Sequence, residues 1–441
     1  MLTQRVPLET PAMPTDLHTL TQRLDAELAK IPLVDSHSHV PGPDPVSRTL
    51  DDILGYHYYT ELAHSCGMPK DCLAKSHDPA ARCREILSHL PKLKNTAQYR
   101  WFTHICREFL GFQGGHPDGR HAEELWHEAR TVFARADWER TVWQKTNLAC
   151  VFLTNDFDDP LEGFDTTRYI PCLRTDDLVF HLDDPAVRQR LEKATGIAPS
   201  GAARAREAID RLFVHFKAKG ARACAISLPP GFSPAPVPDA DLDRALANPQ
   251  AGCPDLCRGI FWILAELCRD HHLPFDLMIG VNRRVYAGGV FQGQDLFDRR
   301  TSLVQYAALF NAFPSVTFPV SVLDGAQNQE LASHAWIFPN VVAHGHWWYA
   351  NVPSIIERDL RDRLNAVPAV KLVGYYSDAY KLEFILPKCS MFRGILARIL
   401  AQDFVAPGAL SEEEAVAVAG QLLEGNARRI FRLPASGPGP R

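Results

Sequence analysis

Ile31-Pro32-Leu33-Val34-Asp35-Ser36-His37-Ser38-His39 is a short apolar run that ends in two histidines spaced two apart. A β-strand alternates its side chains between two faces, so His37 and His39 on a strand point the same way, with Asp35 one layer below. Two imidazoles side by side at a strand end can grip one divalent metal through their ring nitrogens. Alone, the pattern fits equally well two ordinary polar residues where a strand meets a loop. What decides between these readings is how many more such strand ends the chain supplies.

Working outward, Asp16–Lys30 predicts a helix, with Asp16 as N-cap before Leu17, Leu20, Leu24 and Leu28. After the first strand, Leu33–Val40, come seven further β-rich runs: Cys150–Asn155, Tyr169–Arg174, Arg222–Leu228, Pro274–Val281, Val316–Leu323, Val341–Trp347 and Val370–Ser377. Helical patterns separate most of them, among them Gly201–Lys219, Asp255–His271, Gln294–Ala312 and Ser354–Asn365. Strands alternating with helices predict an α/β fold, a (β/α)8 TIM-type barrel spanning 1–441 as a single domain. The competing open doubly wound sheet lacks a Gly-x-Gly-x-x-Gly after any strand.

Residues 41–149 separate the first two strands, too many for a loop and helical in pattern, so residues 56–145 are expected to form a helical insertion within the barrel. Pro229–Gly252, with six prolines, is expected to be an irregular surface excursion, and 435–441 a disordered tail.

Composition excludes several functions. Of 441 residues 46% are hydrophobic and 22% charged, with a net charge of −5, and no Lys/Arg run or basic stripe suggests nucleic acid. The longest apolar stretch, Ile260–Ala265, is too short to cross a bilayer, and the start of the chain lacks the pattern of a secretory leader. Eleven cysteines with no Cys-x-x-Cys read as reduced thiols in a cytoplasmic protein, and Cys253 and Cys257 lack the second pair a structural zinc needs.

In a (β/α)8 barrel the chemistry sits at the C-terminal ends of the strands. There the chain offers His37 and His39 from strand 1, Thr154-Asn155-Asp156 from strand 2, Arg174 from strand 3, Asp276 and Met278 from strand 5, His344 and His346 from strand 7, and Asp378 after strand 8. A divalent metal takes three or four such donors. Asp378 can ligate the metal, accept a proton, or both, and it also fits a plain helix N-cap. Arg174 has the planar fork that pairs with a carboxylate, or with a structural acid. Trp347-Trp348-Tyr349 could stack on a sugar or simply pack.

These motifs resemble, in order and through most of the chain, the uronate isomerase (glucuronate isomerase) family of the amidohydrolase superfamily, of which this chain would be a divergent member. Asp35-Ser36-His37-Ser38-His39 is similar to the family's Asp-x-His-x-His metal motif. His57-Tyr58 resembles its Asp-His-Tyr, Thr154-Asn155-Asp156 its Thr-Asp-Asp, and Pro171-Cys172-Leu173-Arg174 its Pro-x-x-Arg-Pro-Asp. Trp347-Trp348-Tyr349 resembles Trp-Trp-Phe, Ser377-Asp378 resembles Thr-Asp followed by a Phe-Arg pair at Phe392-Arg393, and Asn426–Phe431 resembles the closing Asn-Ala helix. Departures touch the site: Met278 stands where the family has a histidine ligand, Ala379-Tyr380-Lys381 where it has Ser-Arg, Ala225-Ile226 where it has Asp-His, and Tyr56 and Glu61 where it has Asp and Arg.

The resemblance implies metal-assisted aldose–ketose isomerisation of a sugar acid of the glucuronate or galacturonate type. One divalent ion, zinc first with manganese or iron as alternatives, would sit on His37, His39 and Asp378, with His344, His346 or Asp276 as candidate replacements for the missing ligand. Asp378 and Tyr58 would move protons, while Arg174, Lys381, Trp347, Trp348 and His57 would hold substrate. The alternatives are a metal-dependent hydrolase or decarboxylase on the same barrel, and a non-catalytic sugar-acid-binding barrel. A small molecule is the expected partner, with neither nucleic acid nor membrane, and a homo-oligomer is compatible with the reading.

Overall fold

The computed structural model describes residues 16–73 and 78–434, so the tail at 435–441 lies outside the described residues. Eight successive parallel strand positions circle one axis. They are β1 (Leu33–Asp35), β2 (Leu148–Phe152, resuming at Asn155–Asp156), β3 (Tyr169–Ile170 and Cys172–Arg174), β4 (Ala223–Leu228), β5 (Phe275–Ile279), β6 (Phe318–Val322), β7 (Val341–His344) and β8 (Leu372–Val373). Every neighbouring pair from β1 to β8 is hydrogen-bonded in parallel, for example Leu33↔Leu148 and Cys224↔Phe275. Consecutive order with all-parallel pairing is the signature of the (β/α)8 barrel.

Strands buried on both faces need near-continuous apolar runs. All five residues of β5 are buried: Phe275 packs outward on Phe261 of the Pro254–His271 helix, and Asp276 turns into the barrel. Val34, Cys150, Phe152, Ile170, Cys172, Ala223, Ala225, Val342 and Val373 fill the interior. Phe431 closes the end opposite the site, its ring 4.8 Å from that of Phe152, and Asn426 fastens the closing helix by donating to Ala369 O and Leu372 O.

Outside the barrel, α1 (Leu17–Leu28) is capped by Asp16, which accepts from the amides of His18 and Thr19, and buries Leu20, Leu24 and Leu28. Between β1 and β2 run α2 (His57–Ser65), α3 (Pro79–His89), α4 (Ala97–Leu110), α5 (Ala122–Phe133) and α6 (Trp138–Thr146), with a short helical turn at Asp51–Leu54 before them. The last helix the site depends on is α7 (Ile385–Ile399), which packs on α1, α4 and the Pro353–Ala366 helix. No described helix is long and apolar enough to cross a membrane.

Three expectations are corrected. Gln294–Ala312 is helical only over Ala307–Ala312, after a turn at Leu303–Tyr306. Its first residues pair Leu296–Phe297 antiparallel with Val281–Asn282. The reason is the glycine content of 288–293: a Cβ on Gly289 would collide with the carbonyl of Gly293, so the chain doubles back tightly there. Second, the excursion at Pro229–Gly252 contains a helix, Asp239–Ala247, entered at Pro238. Third, β1, β7 and β8 are shorter than the runs Leu33–Val40, Val341–Trp347 and Val370–Ser377. In β7 the ladder stops at His344 because Gly345 takes φ +53°, where a Cβ would strike the ring of Tyr376.

Candidate metal centre and substrate cavity

The segment after β1 and the turn after β8 face each other across the mouth of the barrel. Asp378 N donates to His37 O (3.1 Å), and His39 N donates to Ala379 O (2.8 Å). Asp35 braces the same turn, accepting from Ser377 N at 2.7 Å and Ser377 Oγ at 2.5 Å. Held so, Oδ1 of Asp378 lies 3.6 Å from His37 Nε2 and 3.4 Å from His39 Nε2. Ligand atoms from these three residues all lie within 4.8 Å of one another. His37 Nε2 and Asp378 Oδ1 are buried without any hydrogen-bond partner. Buried polar atoms are almost always satisfied, so converging orphans of this donor type fit a divalent cation.

Burial opposes the charged form of Asp378, but the two imidazoles outweigh it and hold the carboxyl well below its ordinary range. Burial also opposes protonation of His37, yet Asp378, with Asp276 and Asp35, pushes that imidazole up. At His39 burial wins and the shift is downward.

Around this trio opens a cavity of ≈ 170 Å³. His57 and Tyr58, at the start of α2, form one side of it. The Tyr58 hydroxyl donates to Asp378 Oδ2 at 3.1 Å, and burial, with Asp378 adding to it, keeps the phenol protonated. Burial pushes the His57 imidazole down to about 3, so it is neutral near pH 7, and its Nδ1 has no partner. Trp347 and Trp348 supply aromatic walls, and Met278 lines the floor.

Arg174 also lines the cavity, its Nε 3.2 Å from Asp176 Oδ2. Lys381 does not: its ammonium donates to Asp44 O (2.7 Å) and Asp44 Oδ2 (2.8 Å). The candidate replacement ligands are likewise placed elsewhere. His344 is fully buried inside the barrel with both nitrogens engaged, Nδ1 with Asp276 Oδ1 at 3.1 Å and Nε2 with Ser36 Oγ at 2.7 Å. Asp276 sits behind the trio, its Oδ2 3.9 Å from the Nδ1 of His37. His346 leaves the strand after the turn at Gly345 and lies against Phe392, outside the cavity.

Sequence reasoning missed Arg283, Asp176, Asp295, Gln292 and Tyr380, all in the cavity wall. Arg283 donates to Asp295 Oδ2 (2.7 Å) and Ser227 Oγ (2.9 Å), and Ser227 Oγ donates to Asp176. A continuous polar wall thus runs from Asp295 to Arg174. The signal was present, because Arg283 follows the end of β5 by four residues, just beyond the apolar run that marks the strand.

No family model matches the chain. Among curated proteins, a uronate isomerase from Rhizorhabdus wittichii is 25% identical over 96% of this chain and 97% of its own. One from Thermotoga maritima is 22% identical over 89% and 93%. The crystal structure of glucuronate isomerase from Caulobacter crescentus superimposes with a TM-score of 0.87 at 18% identity, covering 98% of both chains. The chain thus shares the (β/α)8 fold of this solved structure, here with two histidines after strand 1 and an aspartate after strand 8. Over nearly their full length, the chain is similar to curated uronate isomerases, at 25% identity or less.

Proposed function

We propose that the protein is a uronate-isomerase-like enzyme that interconverts aldose and ketose forms of a sugar acid, of the glucuronate or galacturonate type. The observation that carries this reading is the contact between Tyr58 and Asp378: a phenol kept protonated bonds directly to a carboxylate kept ionised, at the edge of a metal-competent trio.

Two imidazoles and one carboxylate suit zinc first, with manganese and iron also served by such donors. When bound, the ion would polarise the sugar's carbonyl and hydroxyl oxygens as a Lewis acid. The remaining work falls to the protein. Isomerisation moves a proton between adjacent carbons and another between their oxygens. Asp378 takes the proton from one carbon and returns it to the neighbouring carbon, while Tyr58, hydrogen-bonded to Asp378 Oδ2, gives its proton to the carbonyl oxygen that becomes a hydroxyl and regains one from the hydroxyl that becomes a carbonyl. His57, neutral in the wall, offers a lone pair or an N–H to a substrate hydroxyl. Arg174 faces the cavity with a fork suited to the substrate's carboxylate, and Trp347 and Trp348 cover the sugar's apolar face. Lys381, committed to Asp44, is left out of the substrate site.

The test is direct. Zinc- and manganese-loaded protein is incubated with D-glucuronate and D-galacturonate, and ketose formation is followed. Conversion that falls by about 10²–10⁴-fold in Tyr58→Phe and is lost in Asp378→Asn is the expected outcome. Absence of conversion of either sugar by fully loaded native protein overturns the reading.

A further inference from the structure

Asp378 has φ +53°, a left-handed backbone conformation that L residues other than glycine adopt only under local constraint. Such a conformation persists only where its surroundings over-determine it. Directly beneath it, from α7, stands Lys388, fully buried and outside the cavity. Its ammonium donates to Ser377 O at 2.8 Å and to the Tyr56 hydroxyl at 3.3 Å. That hydroxyl in turn donates to Asp378 O at 2.8 Å. The two carbonyls that bracket the strained residue are therefore held from one point, one directly and one by relay.

Placing a cation there is costly unless the charge is compensated. Compensation comes from the rings of Tyr56, Tyr58 and Trp101, whose centroids lie 5.3, 5.2 and 4.8 Å from Nζ. The carboxylates of Asp378 and Asp35 add to it. Two of these rings belong to the start of α2 and its preceding residue, and the third to α4. The same lysine thus joins the insertion, α7 and the β8 turn.

We propose that Lys388 is a positioning residue for the metal centre. By fixing the carbonyls of Ser377 and Asp378, the latter through Tyr56, it keeps the backbone conformation that aims the Asp378 carboxylate at His37 and His39. The inference rests on the metal-centre reading but not on any particular reaction.

Three readouts test it without substrate, in the full-length protein. The first is zinc affinity, by competition with a chromophoric chelator. Lys388→Met, close in size and without donor or charge, weakens zinc binding by about 10–100-fold, the range seen when groups that orient metal ligands are removed. The second is the visible spectrum of Co2+-loaded protein at saturation, which shifts in Lys388→Met because the carboxylate meets the ion at a different angle. The third is a double-mutant cycle with Tyr56→Phe, which breaks the relay and leaves the lysine in place. Losses from the two substitutions combine to less than their sum. Should Lys388→Met fail to fold, Tyr56→Phe alone decides, with weakened zinc binding expected. Native-like zinc affinity and Co2+ spectrum in a folded Lys388→Met, or native-like affinity in Tyr56→Phe, overturns the proposal. Isomerase activity on uronates is a separate measurement, so failure of that reading leaves these outcomes intact.

Discussion

At the scale of single residues, histidines that look alike in sequence have opposite surroundings. His37 presents an unpartnered, buried Nε2 to Asp378, whereas His344 spends both nitrogens on Asp276 and Ser36. His346 is buried without partners, and burial beside Arg363 holds it well below its ordinary pKa, neutral and remote from the carboxylate. A metal ligand needs a lone pair aimed at the ion, so His37 and His346 should separate cleanly on elemental analysis. His37→Ala/His39→Ala is expected to fall from about one metal per chain to background. His346→Gln should keep its full complement. Asp276→Asn, which weakens the support behind His37, should bind metal at high concentration but about 10–100-fold less tightly. Equal metal content in the His37/His39 variant and the native protein would remove the metal centre altogether. His37 and His39 were readable because alternation along an extended segment predicts their shared direction. His346 was misread because one glycine, Gly345 at φ +53°, breaks that alternation. Lys388 was unreadable, since nothing in a helix such as Ile385–Ile399 announces which carbonyls one of its lysines will meet.

At the scale of elements, the informative contact is between α2 and the doubled-back segment 281–297. Glu61 of α2 packs against Gly293, where a Cβ would collide with its Cγ, and its Oε1 is buried without a partner. Burial, reinforced by the nearby Asp295, pushes its carboxyl up to about 8. Asp295 in turn fixes Arg283 in the cavity wall. A raised carboxyl means that the folded protein binds more protons than the unfolded chain between pH 4.5 and 8. Stability from this group is complete below pH 4.5 and is lost as pH rises through 8. Glu61→Gln removes that dependence. Its Tm should match the native value near pH 5 and exceed it by roughly a few degrees at pH 8.5, in calorimetric scans across the range. A Tm difference that does not grow with pH would contradict the assignment. This segment was also where sequence reading failed most. The strands announced themselves because β-sheets buried on both faces require unbroken apolar runs. The polar spacing of Gln294–Ala312 mimics a helix, and only the preceding glycines disclose the reversal.

At the scale of the whole molecule, the barrel is continuous except at one seam. From β1 round to β8 each strand is laddered to the next, but β8 and β1 share no ladder. Closure there is made beyond the strand ends, by Asp378 N to His37 O, His39 N to Ala379 O, and the Asp35 carboxylate on Ser377. The three candidate ligands stand on both sides of this seam, His37 and His39 on one and Asp378 on the other. A cation held by all three would therefore act as the missing rung, and binding should be felt first in the closure of the barrel. Linkage sets the scale: a ligand at 100 times its Kd stabilises the folded state by about 2.7 kcal/mol. Local opening at the seam should be suppressed by a comparable amount, while strands on the far side, already closed by full ladders, gain protection only through global unfolding. Hydrogen exchange followed by mass spectrometry, with and without zinc, should show its largest slowing in peptides covering 33–40 and 372–380 and little change in those covering β4 and β5. Uniform slowing, or slowing confined to the insertion, would mean that the ion does not bridge the seam. The expected pattern would tie metal loading to the geometry of the cavity, because Asp378, which accepts from the Tyr58 hydroxyl, stands on the β8 side of that seam.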